Sequence, residues 1–450
     1  MDAFNENSNE QQAQQPMGCL HRFSKTIKVV IIGLLILLLM IPMFMIENLI
    51  SERGRTQEEA IDEVSEKWSL AQTITGPYLN LQYPVVTENN GEKKVSIKDL
   101  ILFPDELMVN GQLKTEILKR SIYEVNVYQS ELTLKGSFSS EELKKSRIDM
   151  EQLQFDRAAI CLNLTDMRGI SEQISITLGD SVYIFEPGMD NRGIANTGVH
   201  AIANLSELKQ NKKLPYEIKI KLKGSQSLNF IPLGKTTRVD LKANWNTPSF
   251  TGNYLPNNRN ITEKEFSAQW QVLNLNRNYS QVMADYNTSN IKDIENSSFG
   301  VNFKIPVEQY QQSMRSAKYA ILIILLTFGV IFFTEIMNKT RIHALQYLLV
   351  GLALCLFYSL LLSFSEHIGF NPAYLLSSAL TIILVGGYMF GITKKKKPSL
   401  IMSGLLGILY LYIFVLIQLE TFALLAGSLG LLIILAMVMY FSKKIDWFNE

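Results

Sequence analysis

The chain has 450 residues, of which 47% are hydrophobic, and its 43 lysines and arginines nearly balance 42 aspartates and glutamates, leaving a formal net charge of +1. This balance argues against nucleic acid as a partner, because proteins that bind it carry a marked excess of positive charge. A mean hydropathy near zero conceals two regions, a polar middle and an apolar C-terminal third.

The N-terminal residues 1–24 are rich in Asn and Gln and contain few large apolar side chains, which predicts a disordered cytoplasmic tail. Basic residues then precede an apolar run that ends at Ile46, with no small-residue cleavage site before Glu47. A run of about 18 residues is near the lower limit for a membrane span. We therefore predict an uncleaved transmembrane helix over residues 25–46, with its N-terminus in the cytoplasm and a kink at Pro42.

The segment 47–315 is then expected to lie outside the cytoplasm. It begins with a predicted membrane-proximal amphipathic helix over residues 55–72, where Ile61, Val64 and Trp68 recur at helical spacing among acidic residues. The apolar stripe of this helix is expected to pack on its own domain, because a surface helix buries its apolar face against a core.

Beyond Gly76-Pro77 the apolar residues alternate with period two, which is typical of half-buried strands. Asn90-Gly91 and Asn110-Gly111 predict hairpin turns, because glycine accepts the positive φ of a type I′ turn. Strands are predicted at residues 79–83, 121–128, 131–138, 158–164, 173–178, 182–185, 216–222, 238–245, 265–272 and 298–303, and a helix at residues 139–145. The segment 47–315 is therefore predicted to be a mainly antiparallel β domain of two packed sheets, a β-sandwich large enough to bury a core.

The residue types that carry chemistry form no complete motif in this segment. Cys161 is its only cysteine, which rules out a disulfide within it, and the four histidines of the chain lack the spacing of metal ligands. Leu233-Gly234-Lys235-Thr236 resembles the end of a phosphate-binding loop, but Asn229 stands where the first glycine of that motif belongs. We interpret the stretch as a turn between strands, and we predict no catalytic residue, cofactor or metal.

The turn-rich loop over residues 186–200 is another candidate for function, because long loops often carry binding residues. It contains one histidine, His200, and no paired carboxylates, so we do not expect catalysis there. A plain surface connection is the simpler interpretation.

Residues 316–442 form a membrane block. Its five apolar stretches have about 20 residues each, the length that crosses a bilayer core, and none has a charged residue near its middle. They lie at residues 319–337, 345–364, 372–392, 399–418 and 422–441. Together with the first helix they predict six transmembrane helices.

The loops of this block predict its orientation. A loop with Lys339 and Arg341 and a loop with four lysines at residues 394–397 alternate with loops that lack basic residues. Because basic loops stay in the cytoplasm, the tail at residues 443–450 is predicted to be cytoplasmic as well. The predicted fold class is an α+β membrane protein with six transmembrane helices, both termini in the cytoplasm, and a large external domain between helices 1 and 2.

Five ionisable residues at helix ends are candidate regulatory or interface residues. Glu335, Arg341 and His343 lie near the cytoplasmic ends of the second and third helices, and Glu366 and His367 lie at the external end of the third. Because histidine titrates near neutral pH, such residues suit a proton-sensing site. The alternative interpretation is that they cap and pair helix ends.

Several stretches of this chain resemble the CreD family of bacterial inner-membrane proteins. They are AKYA (317–320), LTF (326–328), QYLLVGL (346–352), SEHIGF (365–370), DMRGI (166–170), PSFTG (248–252) and IDW (445–447). The resemblance implies an inner-membrane protein whose external domain is periplasmic. It also implies a link to cell envelope integrity, through a two-component regulon and altered tolerance to a colicin. It supplies no catalytic residues, and the Asn- and Gln-rich tail departs from the family pattern.

We therefore expect a non-enzymatic inner-membrane protein that supports cell envelope integrity. In this hypothesis the external domain binds an envelope component or a protein partner, and the six helices lie in the lipid bilayer. The alternative hypothesis is a transporter of small solutes or lipids that uses the C-terminal helices, which contain Ser359, Ser377 and Ser378. The lack of carboxylates near the middle of the predicted spans weakens that alternative.

Overall fold

The computed structural model of the protein describes residues 24–89, 92–146, 148–189, 194–195, 197–210, 212–284, 288–303, 308–338, 341–419 and 422–443. The predicted N-terminal tail up to residue 23 and the C-terminal residues 444–450 lie outside this part. The chain divides into two compact units, one formed by Met1–Thr56 and Val307–Glu450 and the other by Gln57–Pro306. We call them the helical unit and the β-rich unit.

Long apolar helices build the helical unit. The α-helices of the described chain are α1 (Ser24–Trp68), α2 (Glu141–Lys144), α3 (Thr288–Asn296), α4 (Glu308–Lys318), α5 (Ala320–Asn338), α6 (Ala344–Ile368), α7 (Phe370–Thr393), α8 (Lys396–Gln418) and α9 (Ala423–Ser442). Among the described residues, α1, α5, α6, α7 and α8 are long and apolar enough to cross a membrane, and α9 contains a shorter apolar stretch, Leu425–Met437. Each of the six predicted spans thus coincides with a helix, and their number as membrane spans stays a prediction.

Helix α1 unites two elements that the sequence pattern separates. It is 45 residues long, and its helical backbone runs through Pro42 from the predicted span at residues 25–46 into the predicted amphipathic helix. The connection, residues 47–54, contains no proline and one glycine, Gly54, and a single glycine inside a helix costs only about 1 kcal/mol, so the helix continues. The helix ends at Trp68, four residues before the predicted end.

The β-rich unit consists of two sheets. Its strands are β1 (Gln72–Asn89), β2 (Glu92–Leu102), β3 (Glu106–Arg120), β4 (Tyr123–Phe138), β5 (Ala158–Leu164), β6 (Ser175–Leu178), β7 (Ser181–Ile184), β8 (Glu186–Pro187), β9 (Val199–Ala203), β10 (Leu214–Ser225), β11 (Ser227–Phe230), β12 (Thr236–Ala243), β13 (Ser249–Gly252), β14 (Asn258–Ile261), β15 (Phe266–Leu273), β16 (Val282–Ala284) and β17 (Phe299–Asn302). The nine-stranded sheet has the order β13-β17-β11-β1-β5-β9-β8, with β2 paired to β1 and β16 to β2. The eight-stranded sheet has the order β14-β15-β12-β3-β4-β10-β6-β7.

The sheets are mixed rather than purely antiparallel. Strand β1 pairs with β11 in parallel, and β3 pairs with β12 in parallel. The other described strand pairs are antiparallel. The prediction of mainly antiparallel pairing therefore agrees with those pairs but misses the two parallel ones.

Strands β1 and β2 form a long hairpin. Asn89 pairs with Glu92 at its end, and the predicted turn residues Asn90-Gly91 lie outside the described part of the chain. At the other end, β1 starts at Gln72, before Gly76-Pro77 rather than after it. The peptide bond between Gly76 and Pro77 is cis, and the pairing with β5 shifts its register there.

The predicted hairpin at Asn110-Gly111 is wrong, because both residues lie within β3. Packing explains this glycine. A Cβ atom at position 111 would lie 2.6 Å from the side chain of Leu241 and 2.7 Å from that of Leu132, which belong to the neighbouring strands β12 and β4. The glycine therefore leaves room for two core leucines and does not supply a turn.

Two further predictions need correction. The predicted strands at residues 121–128 and 131–138 are one strand, β4, which follows a turn in which Ser121 has a φ of +57°. The predicted helix at residues 139–145 is present as the short helix α2, but α3 is a second helix that the pattern does not predict.

Two hydrophobic cores lie on opposite faces of the nine-stranded sheet. In β1, Leu79 and Leu81 belong to the larger core, to which both sheets contribute, whereas Tyr78 belongs to the second core. In β5, Ile160 points to the larger core and Cys161 to the second, because successive side chains of a strand face opposite ways. The second core also includes Ile101, Phe103, Met189, Ile194, Leu233, Tyr279 and Ile294.

Asp166 fixes the end of α1 to β5 and to the segment that follows. Its carboxylate accepts hydrogen bonds from the backbone N–H of Leu70 at 2.9 Å and from the Arg168 side chain at 2.9 Å. Arg168 in turn donates to the carbonyl oxygen of Glu66 at 2.6 Å, and Gln72 donates to the carbonyl oxygen of Asp166 at 2.8 Å. The stretch DMRGI, which carries part of the family resemblance, therefore holds the C-terminal end of α1 in place. We call Asp166, Arg168 and their hydrogen-bond partners the clamp.

The charge of Asp166 matters to this clamp. Burial by itself raises the pKa of the Asp166 carboxyl group, but hydrogen bonds from Arg168 and from the Leu70 N–H outweigh burial, so the pKa lies below its usual value. A carboxyl group with a lowered pKa in the folded state stabilises the fold above its unfolded pKa, about 3.9 for Asp. That stabilisation is lost as the pH falls through the folded pKa.

We predict that Asp166→Asn lowers the free energy of unfolding of the β-rich unit by about 2 kcal/mol at pH 7, because it removes charge-assisted hydrogen bonds to a buried site. Chemical denaturation of the full-length protein in detergent, followed by tryptophan fluorescence, measures this loss. The difference between the two proteins should shrink below about pH 4.

The matched control is Asp156→Asn, because Asp156 is exposed and lies outside the clamp. This control should change the free energy of unfolding by less than about 0.5 kcal/mol. Equal stability of Asp166→Asn and the unaltered protein at pH 7 would contradict the role of the clamp.

Candidate functional site

Two polar clusters in the helical unit and a polar cleft in the β-rich unit are the candidate sites among the described residues. The first cluster is centred on Glu335, which lies near the C-terminal end of α5 and is 9% exposed. Its carboxylate accepts hydrogen bonds from Lys28 of α1, from the backbone N–H of Ile342 at 3.2 Å and from the Tyr347 hydroxyl at 3.2 Å. Lys28 also donates to the Ile342 carbonyl oxygen at 3.1 Å. We call these four residues the Glu335 cluster.

The structure does not bring Arg341 and His343 into the Glu335 cluster. Both side chains are exposed. His343 is the N-cap of α6, where its Nδ1 accepts a hydrogen bond from the Leu345 N–H at 3.2 Å and its own N–H donates to the Gln346 side chain at 2.9 Å. The capping interpretation therefore describes His343 better than a shared ionisable site does.

The second cluster is centred on Glu366, in the last turn of α6. Its carboxylate accepts a hydrogen bond from the hydroxyl of Tyr310 on α4 at 3.0 Å and lies 3.9 Å from the side-chain Nε of Arg53 on α1. His367, the next residue, is exposed. We call Glu366, Tyr310 and Arg53 the Glu366 cluster.

Both clusters connect α1 with α6, at two levels along these helices. On α6, Tyr347 and Glu366 are 19 residues apart, which corresponds to about 29 Å along the helix axis. This is close to the thickness of a bilayer hydrocarbon core, about 30 Å. Helix α1 contributes Lys28 to one cluster and Arg53 to the other, so the polar contacts pin α1 at both ends of its apolar stretch.

The sequence pattern identified the two glutamates but missed their partners. Lys28 and Glu335 are separated by 307 residues, and Tyr310 and Glu366 by 56 residues on different helices. A weak signal for Lys28 exists in its position as the last basic residue before the first apolar run. No pattern in the chain indicates which later helix this residue faces.

A polar cleft of about 250 Å³ opens on the nine-stranded sheet. It is lined by Thr73, Thr75, Asn163, Leu164, Thr165, Ala195, Thr197, Ile231, Glu295 and Ser298. Most of these side chains end in a hydroxyl, an amide or a carboxylate, and no lysine or arginine is among them. The chemistry of the lining suits a neutral ligand with hydroxyl groups and disfavours an anion.

Part of this lining is held in place and part of it is free to bind. The side-chain amide of Asn163 donates to the carbonyl oxygens of Ala195 at 3.1 Å and Thr197 at 2.9 Å, and its carbonyl oxygen accepts from the Tyr78 hydroxyl. Within the described chain, no hydrogen bond or ion pair engages the side chains of Thr197 and Glu295. The cleft therefore presents polar groups on a fixed wall.

The loop predicted as a candidate for function forms one side of this cleft. Residues 190–193 and 196 lie outside the described chain, but Ala195 and Thr197 line the cleft and Ile194 is buried in the second core. His200 supports the loop, since its Nδ1 lies 2.7 Å from the carbonyl oxygen of Gly188.

Other predicted features have structural roles. Gly234 and Lys235 lie between β11 and β12, which confirms the turn at the stretch that resembles a phosphate-binding loop. The Lys235 side chain pairs with Glu142 at 3.0 Å. Cys161 and Cys355 are buried and are not joined in a disulfide, and no group of three metal-ligating side chains occurs within the described residues.

Two comparisons with known proteins indicate the family of this chain. The family model described as inner membrane protein CreD matches residues 24–448. The inner membrane protein CreD of Escherichia coli (strain K12) is similar to this chain, with 32% identity over 420 residues that cover 92% of this chain and 91% of the relative. The residues matched by the family model exclude the Asn- and Gln-rich tail. The chain therefore belongs to the CreD family of inner membrane proteins.

Proposed function

We propose that this inner membrane protein supports cell envelope integrity without catalysing a reaction, and that its β-rich unit binds an envelope component in the periplasm. The polar cleft carries this proposal. It combines a wall fixed by Asn163 with side chains of Thr197 and Glu295 that have no described partner. Sites that bind small molecules are concave and use a few convergent polar groups in this way.

The lining of the cleft suggests the chemistry of the bound component. Hydroxyl and amide groups exchange hydrogen bonds with sugar hydroxyls, and a carboxylate such as Glu295 accepts from two of them. The cleft offers no positive charge to an anion. We therefore favour a neutral, hydroxyl-rich part of an envelope polymer over an anionic group at this place.

The proposed orientation rests on the basic residues of the loops. Both termini and the four lysines at residues 394–397 would face the cytoplasm, which leaves the segment between the first two apolar helices in the periplasm. The β-rich unit would then meet the envelope component from the periplasmic side.

We propose interface roles for the candidate residues at the helix ends. Glu335 and Glu366 hold α1 against the following helices, and His343 caps α6. Proton sensing is not needed to account for any of these contacts. Arg341 and His367 are exposed and would serve as interfacial charges at the membrane surface.

The orientation predicts different labelling of two single cysteines, each in a protein without Cys19, Cys161 and Cys355. A membrane-impermeant maleimide added to intact cells should label Glu263→Cys, in the β-rich unit, and should not label Lys395→Cys. After lysis both should be labelled, because both positions are exposed. Labelling of Lys395→Cys alone in intact cells would reverse the proposed orientation.

The cleft predicts a site-specific contact in living cells. A photo-activated thiol cross-linker attached to Thr197→Cys should form an adduct with an envelope component. The same reagent at Thr177→Cys should not, because Thr177 is exposed on the eight-stranded sheet, away from the cleft lining. If both positions are labelled by the reagent but position 197 forms no adduct, the cleft is not the binding place.

The Glu335 cluster predicts coupling between two distant residues. In a double-mutant cycle of Lys28→Met and Glu335→Gln, the interaction energy should be about 1–2 kcal/mol, because both side chains are partly withdrawn from water. Thermal unfolding of the purified protein in detergent measures it. The matched cycle of Arg341→Met with Glu335→Gln should be additive, because Arg341 is exposed and makes no described contact with Glu335.

A further inference from the structure

Arg277 is a buried arginine in the β-rich unit, on the segment between β15 and β16. Only 8% of the residue is exposed. Its Nη2 donates to the carbonyl oxygen of Leu233 at 3.0 Å and to the side-chain oxygen of Gln281. Its Nε and Nη1 have no hydrogen-bond partner among the described residues. Two of the three guanidinium nitrogens are therefore buried and unused.

No described carboxylate balances the charge of Arg277. The groups around the guanidinium are aromatic, with the ring centre of Tyr279 at 4.3 Å and that of Phe103 at 5.6 Å from its central carbon. Burial lowers the pKa of Arg277, but a guanidinium remains protonated in proteins at neutral pH. The site thus contains a positive charge without a negative partner.

The neighbouring polar groups are already engaged. The Tyr279 hydroxyl lies beside the guanidinium, but it donates to the carbonyl oxygen of Pro232 at 3.0 Å and lies 2.9 Å from the Ser297 hydroxyl. The Gln281 amide donates to the carbonyl oxygen of Pro104 at 2.6 Å. These groups are neutral, so they solvate the guanidinium without neutralising it.

Such an arrangement is unfavourable unless something compensates it. A buried charge that lacks both a counter-ion and full hydrogen bonding destabilises a fold, and cation–π contacts offset only part of that cost. The remaining donors, Nε and Nη1, are the groups that bind carboxylates and phosphates in other proteins.

We infer that Arg277 is the anchor of an anion-binding site that takes a carboxylate or phosphate group of a ligand. Arg277 belongs to a surface segment, residues 274–280, in which Leu275 is 88% exposed. The site differs from the polar cleft, which has a carboxylate and no basic residue, and the inference does not depend on the proposed function of the cleft.

Thermal unfolding of the full-length protein in detergent tests this inference. The probes are inorganic phosphate and acetate, each compared with chloride at equal ionic strength. At saturation, phosphate or acetate should raise the Tm of the β-rich unit by roughly 5 °C, because a ligand that binds only the folded state stabilises it. A response to phosphate alone identifies a phosphate site, and a response to acetate alone identifies a carboxylate site.

The variant Arg277→Met should lose the anion response. Without added anion its Tm should equal or exceed that of the unaltered protein, because a buried unpaired charge has been replaced by an apolar side chain of similar length. Arg238→Met is the matched control, since Arg238 is exposed in the same unit, and it should keep the full response.

A second variant covers the case in which Arg277→Met does not fold. Arg277→Lys keeps the charge but removes the planar set of donors, so its anion response should be weaker than that of the unaltered protein. Absence of any response in the unaltered protein would overturn the inference. An equal response in the unaltered protein and in either Arg277 variant would overturn it too.

Discussion

The helical unit depends on the need to satisfy buried charges at the two ends of an apolar stretch. Within a bilayer core an unpaired charge is costly, so charged side chains of membrane helices are found paired or near the interface. Lys28 meets Glu335 at one level and Arg53 meets Glu366 at the other, about 29 Å apart along α6. Between these levels the contacts of α1 are apolar, and apolar contacts alone do not specify how far one helix has slid along another. The polar clusters therefore set the register of α1 in this unit.

The β-rich unit depends on a different anchor at the far end of the same helix. α1 ends at Trp68, and the carbonyl groups freed at its C-terminal end need partners. Arg168 supplies one of them by donating to the Glu66 carbonyl oxygen, and Asp166 accepts from the N–H of Leu70 in the connection to β1. Gly169 completes the clamp, since a Cβ atom there would lie 2.4 Å from the Lys223 carbonyl oxygen. This explains why an aspartate, an arginine and a glycine occur together in this short stretch.

Local sequence patterns predicted the elements better than their connections. Apolar runs of span length and period-two alternation depend on neighbouring residues, so the helices of the membrane block and strands such as β15 were predictable. Pairings between distant residues were not. The parallel pairing of β1 with β11 joins Gln72 to Leu228, and the Lys28–Glu335 contact joins the first helix to α5. Gly111 shows the same limit, because the two leucines that require a glycine there come from other strands.

The candidate sites were harder to predict for the same reason, and they also differ in electrostatic character. The polar cleft gathers hydroxyl groups and Glu295 from strands and loops that are far apart in the chain, so no motif precedes it. Arg277 lies near the cleft. Its neighbour Tyr279 contacts Ser297, and the next residue, Ser298, lines the cleft. Their charges have opposite signs, since the cleft has exposed Glu295 whereas Arg277 is buried. A ligand group that suits one site is therefore disfavoured at the other. The two sites together would distinguish anionic ligand groups from neutral ones.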